Sequence, residues 1–200
     1  LDTGTTMMFF RALKPKPKSK STVPSAVHGA VAFLPMKTGE TDAVDGLAKP
    51  VRGQLMATGL GDLVGYKFRK GRSDEPSGIE LHFTLASSHP RVLQTVGNML
   101  DDFDAPVGST IEFSETGQRH HFGRTEGLGV DIDAAANWLD YAEAAIETLA
   151  GDATYHGSRK IGTQRRLYFY GENASTMASR LRAAAQIDPD LPDGRTLRLT

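Results

Sequence analysis

No cysteine occurs anywhere in the 200 residues. Disulfides, thiol nucleophiles and cysteine-based metal centres are therefore excluded, and the absence fits a reducing compartment. No apolar run approaches the roughly 18 residues that a bilayer-spanning helix needs. No charged-then-apolar leader pattern opens the chain. An excess of charge of either sign is also missing: 23 Lys and Arg stand against 24 Asp and Glu, for a formal net charge of −1. No global field thus draws the protein to nucleic acid or to an anionic membrane. A cytoplasmic protein with no membrane partner is expected. Leu1 is not an initiating Met; Met7 or Met8 is the expected natural start, with Leu1–Thr6 an added segment.

What is present is enough to build a core. Hydrophobic residues make up 39% and charged residues 24%, the balance of an ordinary globular domain. One spacing occurs twice. Leu81-His82-Phe83 stands thirty residues before Ile111-Glu112-Phe113, and Leu167-Tyr168-Phe169 stands thirty before Leu197-Arg198-Leu199. Between the members of each pair lie an amphipathic helical stretch and a glycine turn, Gly108 in one case and Gly194 in the other. A strand–helix–strand unit used twice accounts for this pattern. The expected fold is α+β: two ferredoxin-like β-α-β-β-α-β halves, duplicated, with largely antiparallel sheets and helices on one face of each.

Three segments follow. Residues 1–24 carry the Lys/Pro tract Lys14–Ser21 and read as an extended, solvated tail or linker, with a basic arm as the alternative. Residues 25–118 form the first half. Val27–Met36 reads as a strand, Thr41–Val51 as a short helix interrupted by Gly46 and Pro50, and Gln54–Phe68 as one or two strands. Ile79, Leu81, Phe83 and Leu85 alternate with Glu80, His82 and Thr84, as on a half-buried strand. Ser87 or Ser88 offers an N-cap, Pro90 suits a first helical turn, and Val92, Leu93, Val96, Met99, Leu100 and Phe103 form the apolar stripe that follows. Residues 119–200 form the second half. Its strands are Leu128–Ile132, Ala153–Ile161, Arg165–Tyr170 and Arg195–Leu199. Asp133 is the expected cap of a helix whose inner stripe is Trp138, Leu139, Ala142, Ala145, Ile146 and Leu149. Asn173 caps the last helix.

No constellation carries recognisable chemistry. His120 and His121 are adjacent, so on a strand they point to opposite faces and do not share one ion. His28, His82, His89 and His156 read as scattered surface or structural histidines, and no metal or cofactor is expected. Asp101, Asp102 and Asp104 read as solvated groups at a helix end. Gly157-Ser158-Arg159 lacks the pattern of a nucleophile elbow. Gly59-Leu60-Gly61 and Gly127-Leu128-Gly129 are fragments of a phosphate fingerprint that read as strand glycines or bulges. The sheet of the second half is the most informative surface. If Leu167, Phe169, Leu197 and Leu199 face the helices, then Arg166, Tyr168, Tyr170 and Arg198 share the opposite face. Such a set suits stacking of single-stranded nucleic acid; burial against the other half or another subunit is the competing reading.

Arg124–Asp131, Tyr155–Arg159 and Arg166–Gly171 are similar to segments of small bacterial ferredoxin-like proteins of uncharacterised function. Related folds occur in protein-binding regulators, including ribonuclease inhibitors and toxin-neutralising immunity proteins. With no recognisable catalytic motif and a duplicated α/β scaffold with exposed sheet faces, the expected function is that of a bacterial, non-enzymatic protein-binding module, an immunity protein or enzyme inhibitor in its most concrete form. Single-stranded nucleic-acid binding through Arg166, Tyr168, Tyr170 and Arg198 is the first alternative. An enzyme of unrecognised class, using His120 or His121 with a carboxylate, is the second.

Overall fold

Alternation of buried and half-buried residues makes β1 (His28–Leu34) a strand with Ala30, Ala32 and Leu34 on the core side. The computed structural model describes residues 27–39, 42–71, 75–133, 137–187 and 194–199; the expected tail, 1–24, lies outside them. After β1, a π-helical turn (Ala43–Ala48) runs directly into α1 (Lys49–Thr58). Leu47, Val51 and Leu55 recur every four residues and are all buried, the spacing of one helix face. Pro50 falls in the first turn, where a missing amide costs nothing. The helix ends at Gly59, whose φ of 69° is the left-handed conformation of a C-terminal cap.

The segment read as one or two strands from Gln54 is therefore helical as far as Thr58. Only β2 (Gly61–Arg69) is extended. Gly59-Leu60-Gly61 is a helix terminator leading into a strand, with Gly61 so close to Thr84 that a side chain there would strike the backbone.

β3 (Gly78–Leu85) and α2 (Pro90–Asp101) match the expected alternation and stripe. The cap of α2 is His89 rather than Ser87 or Ser88, its Nδ1 accepting the Arg91 amide at 3.2 Å. β4 (Ser109–Phe113) and β5 (Arg119–Phe122) complete an antiparallel sheet of order β2-β3-β1-β4-β5. The expected boundary at 118/119 thus falls inside the β4–β5 hairpin, and residues 119–122 hydrogen-bond with the first sheet. His120 and Phe122 face α2 at Gly97, while His121 is exposed on the opposite face.

The second sheet is also antiparallel, of order β7-β8-β6-β9. It comprises β6 (Glu126–Asp133), β7 (Ala153–Ile161), β8 (Gln164–Gly171) and β9 (Arg195–Leu199). α3 (Trp138–Thr148) and α4 (Ala174–Ile187) cover one of its faces. Asn137, not Asp133, stands at the N-cap of α3. The buried stripe of α3 is Tyr141, Ala142 and Ala145, continued by Leu149 just past its end; Leu139 is 53% and Ile146 40% exposed. Trp138 is half-buried, with the Arg165 guanidinium 4.1 Å above its ring. Asn173 caps α4 through its side-chain oxygen, which accepts the Thr176 amide at 3.0 Å. The fold is thus α+β, with two antiparallel sheets and four α-helices among the described residues.

Candidate functional site at the seam between the halves

The second sheet buries its helix-free face against the first half. Gly127 and Gly129 of β6 lie opposite Tyr170 and Tyr168 of β8. Lacking side chains, the two glycines leave room for the layer beside them. A Cβ at Gly127 would sit 2.7 Å from the Tyr170 ring and 2.9 Å from Leu199; one at Gly129 would sit 2.9 Å from Leu199 and 3.1 Å from Arg166. They are strand glycines that admit close packing. Tyr168 and Tyr170 are 0% and 1% exposed and belong to the core of the first half.

The expected outward quartet does not hold together. Leu199 pairs with Gly127 and Leu197 with Gly129, so these leucines share the face of Tyr170 and Tyr168. Arg198 pairs with Leu128 and lies on the other face, ion-paired at its tip with Glu126. The periodicity of β9 alone did not set its register, and a one-residue shift exchanges the faces. The tyrosine rings are closed off from stacking, which removes the physical basis for nucleic-acid binding at this face.

Polar groups stitch the seam. The Lys37 amide donates to the Tyr170 hydroxyl at 2.6 Å, and the Gly39 amide and Thr38 hydroxyl donate to the His156 carbonyl at 3.2 and 2.5 Å. Glu75, between β2 and β3, accepts from Lys37 Nζ at 3.0 Å, Tyr168 Oη at 2.8 Å and Arg166 Nη1 at 3.1 Å. Arg166 also forks onto Asp131 at 2.5 and 2.7 Å, the two-pronged geometry a guanidinium favours. Burial acts to raise the Glu75 pKa, but hydrogen bonds from Lys37 and Tyr168, with the Lys37 and Arg166 charges, hold it below its ordinary value. Burial and the neighbouring Glu75 push the Tyr168 hydroxyl up; burial does the same to Tyr170. The Asp131 hydrogen bond raises Arg166. These charges are matched to one another, which makes the cluster a weld between halves rather than a reactive centre.

The acidic run at the end of α2 is also engaged, and through Asp104 it reaches the seam. Asp101 accepts from the Gly123 amide at 2.8 Å and pairs with Arg124 at 3.2 Å. Asp104, at φ 59°, lies 3.2 Å from His156, whose ring stands edge-on to Tyr170. These two carboxylates are engaged rather than solvated, whereas Asp102 is exposed. Sequence reasoning passed over Lys37, Glu75 and the pairing of Asp104 with His156. Each pair is 38 to 93 residues apart or bridges the two halves, and no local pattern encodes such a meeting.

Beside the seam an open groove of about 480 Å³ runs between Pro35, Pro106 and Val107 on one side and Gly127, Arg198 and Leu199 on the other. Among the described residues, no group of three or more His, Asp or Glu is placed to hold a metal ion. No helix among them is long and apolar enough to cross a membrane.

No family model matches the chain, and no curated protein matches it. Among solved structures, it is similar to a protein described as a glycine cleavage system transcriptional repressor. That match has 12% identity over 86% of this chain and 95% of the other, with a TM-score of 0.28. It is also similar to the ligand-free regulatory subunit of aspartate kinase from Thermus thermophilus, at 13% identity over 80% of this chain and 91% of the other, with a TM-score of 0.26. Likenesses this distant carry no argument about what this chain does.

Proposed function

We propose that the protein is a non-enzymatic protein-binding module of the inhibitor or immunity type, built from two ferredoxin-like copies fused through the seam. Support for the duplication comes from strand order: β2-β3-β1-β4 in the first sheet repeats as β7-β8-β6-β9 in the second. Support for binding comes from the asymmetry between the copies. The second copy's helix-free face is consumed by the seam; the equivalent face of the first copy has no covering element among the described residues. Val31 and Phe33 lie half-buried at its centre. The Arg119–Glu112 pair flanks them on one side and Glu80 with Lys67 on the other, and the Arg69 guanidinium, paired with Glu80, lies 4.3 Å over the Phe33 ring. An apolar centre with a charged rim is the usual anatomy of a protein contact.

The partner is a protein whose functional surface this face covers. Capture from the native host with the wild-type chain, repeated with Val31→Glu, tests the reading. A partner retained by the wild type and lost from the folded Val31→Glu variant supports it. A partner held equally by both variants, or catalytic turnover by the purified protein that maps to a pocket, overturns it.

A further inference from the structure

Beyond that face, the cations of the molecule are unevenly matched. Most lysines and arginines among the described residues are ion-paired, including Lys37, Lys67, Arg69 and Arg166. Lys70, Arg159, Lys160 and Arg165, like Arg91, Arg182 and Arg195 elsewhere, have no carboxylate partner among the described residues, and these four gather at one end of the molecule. The Arg159 guanidinium lies 5.4 Å from the Phe68 ring of β2, and Lys70 follows Phe68 by two residues, about 7 Å along an extended chain. Lys160 and Arg165 are opposite one another in the β7–β8 hairpin. β7 is an edge strand, so Arg159 and Lys160, adjacent along it, straddle a free edge.

Two further observations point to an anionic ligand. Both arginines are held by aromatic rings rather than by carboxylates, Arg159 by Phe68 and Arg165 by Trp138. Stacking fixes a guanidinium without neutralising it; of the Arg165 donors, Nη1 is taken by Ser158 Oγ at 2.9 Å. The Nε of each is buried and without a hydrogen-bond acceptor among the described residues, so a phosphate would meet the terminal nitrogens instead. Of the nearby carboxylates, Glu75, Glu80 and Asp131 are already engaged by Lys37, Arg69 and Arg166, while Asp42 lies against Gly157 on the inner side of β7. Tyr66 is 37% exposed and meets Phe68 edge-on, and Trp138 is half-exposed. Aromatic faces interleaved with unpaired cations suit unstacked bases and their phosphates better than an acidic peptide, which offers no rings to stack.

We propose that the end of the molecule formed by the β7–β8 hairpin and the end of β2 binds single-stranded nucleic acid, with Lys70, Arg159, Lys160 and Arg165 on the phosphates. Fluorescence anisotropy of the full chain with a labelled mixed-sequence 20-mer tests it. Four phosphate contacts give a log–log salt slope of about −3, or a loss of roughly 50-fold between 50 and 200 mM salt. Lys70→Gln with Lys160→Gln removes two exposed charges without disturbing either stack. This pair is expected to bring the slope to about half that value. Arg52→Gln with Arg91→Gln, at the opposite end of the first sheet, is expected to leave both slope and affinity unchanged.

Absence of salt-sensitive binding at 50 mM overturns the proposal. So does binding that the hairpin substitutions leave intact, which would place it on the Lys14–Lys20 tract or elsewhere. Polyglutamate competing as well as the oligonucleotide, at equal charge, would assign the surface to acidic proteins and overturn the nucleic-acid assignment. The Val31→Glu variant should bind the oligonucleotide like the wild type, so failure here and failure of the protein-binding reading are separable.

Discussion

Glu75 is the residue on which the two halves meet most directly, since its carboxylate collects donors from Lys37 of the first half and from Arg166 and Tyr168 of the second. Its pKa is lowered in the folded protein. The unfolded chain therefore binds the proton more tightly than the folded one. The stabilisation from this group is full above the ordinary glutamate range and is lost as pH falls through and below it. Urea unfolding followed from pH 7 to pH 3 should show a decline in stability that is shallower in Glu75→Gln. At pH 7, Glu75→Ala leaves Arg166 and Lys37 short of a counter-charge. It should cost toward the lower end of about 3–5 kcal/mol, read from the shift in the urea midpoint. Equal pH dependence in wild type and Glu75→Gln would show that the weld does not depend on this charge.

The elements show where local pattern succeeds and where neighbours intervene. β3 and α2 stand nearly where their periodicities put them, because each buries one face against a single layer. Gly46 and Pro50 suggest a helix that stops by Val51, and the glycines after Gln54 suggest strand, yet Leu47, Val51 and Leu55 carry one helical repeat that continues to Thr58. On α3, Leu139 and Ile146 are exposed while Tyr141 is buried, so the apolar stripe alone misplaced the buried face. Trp138 is consequently half-buried, and Trp138→Ala should cost about 1–3 kcal/mol through lost area and the lost Arg165 stack. Its fluorescence should be intermediate between buried and solvent-exposed; a thermal shift consistent with full core loss would contradict this placement. On β6, Gly127→Ala would push against Tyr170 and Leu199. Overpacking of this kind costs about 1–3 kcal/mol, and thermal unfolding of the variant measures it.

At the scale of the whole molecule, Tyr168 and Tyr170 make the core of the first half depend on the second. A single cooperative transition is expected by calorimetry, with calorimetric and van't Hoff enthalpies in agreement. Tyr168→Ala with Tyr170→Ala should empty the seam and separate the melting of the halves. Two transitions in the wild type would mean that the seam is too weak to couple them.

The sequence by itself determined the α+β class, the positions of most strands, the glycines of β6 as strand residues rather than a phosphate loop, and Asn173 as a cap. Each of these rests on interactions within a few residues or on alternation along one element. Tertiary structure alone decided which face of β9 looks inward, since register depends on the neighbouring strand and not on the strand's own pattern. It alone brought Glu75 to Arg166, 91 residues away, and Asp104 to His156, 52 residues away. It also turned the aromatic face of β8 from a candidate surface into an interface. The tyrosines were legible as too apolar to stay in water, but only the packing of one half on the other showed what covers them.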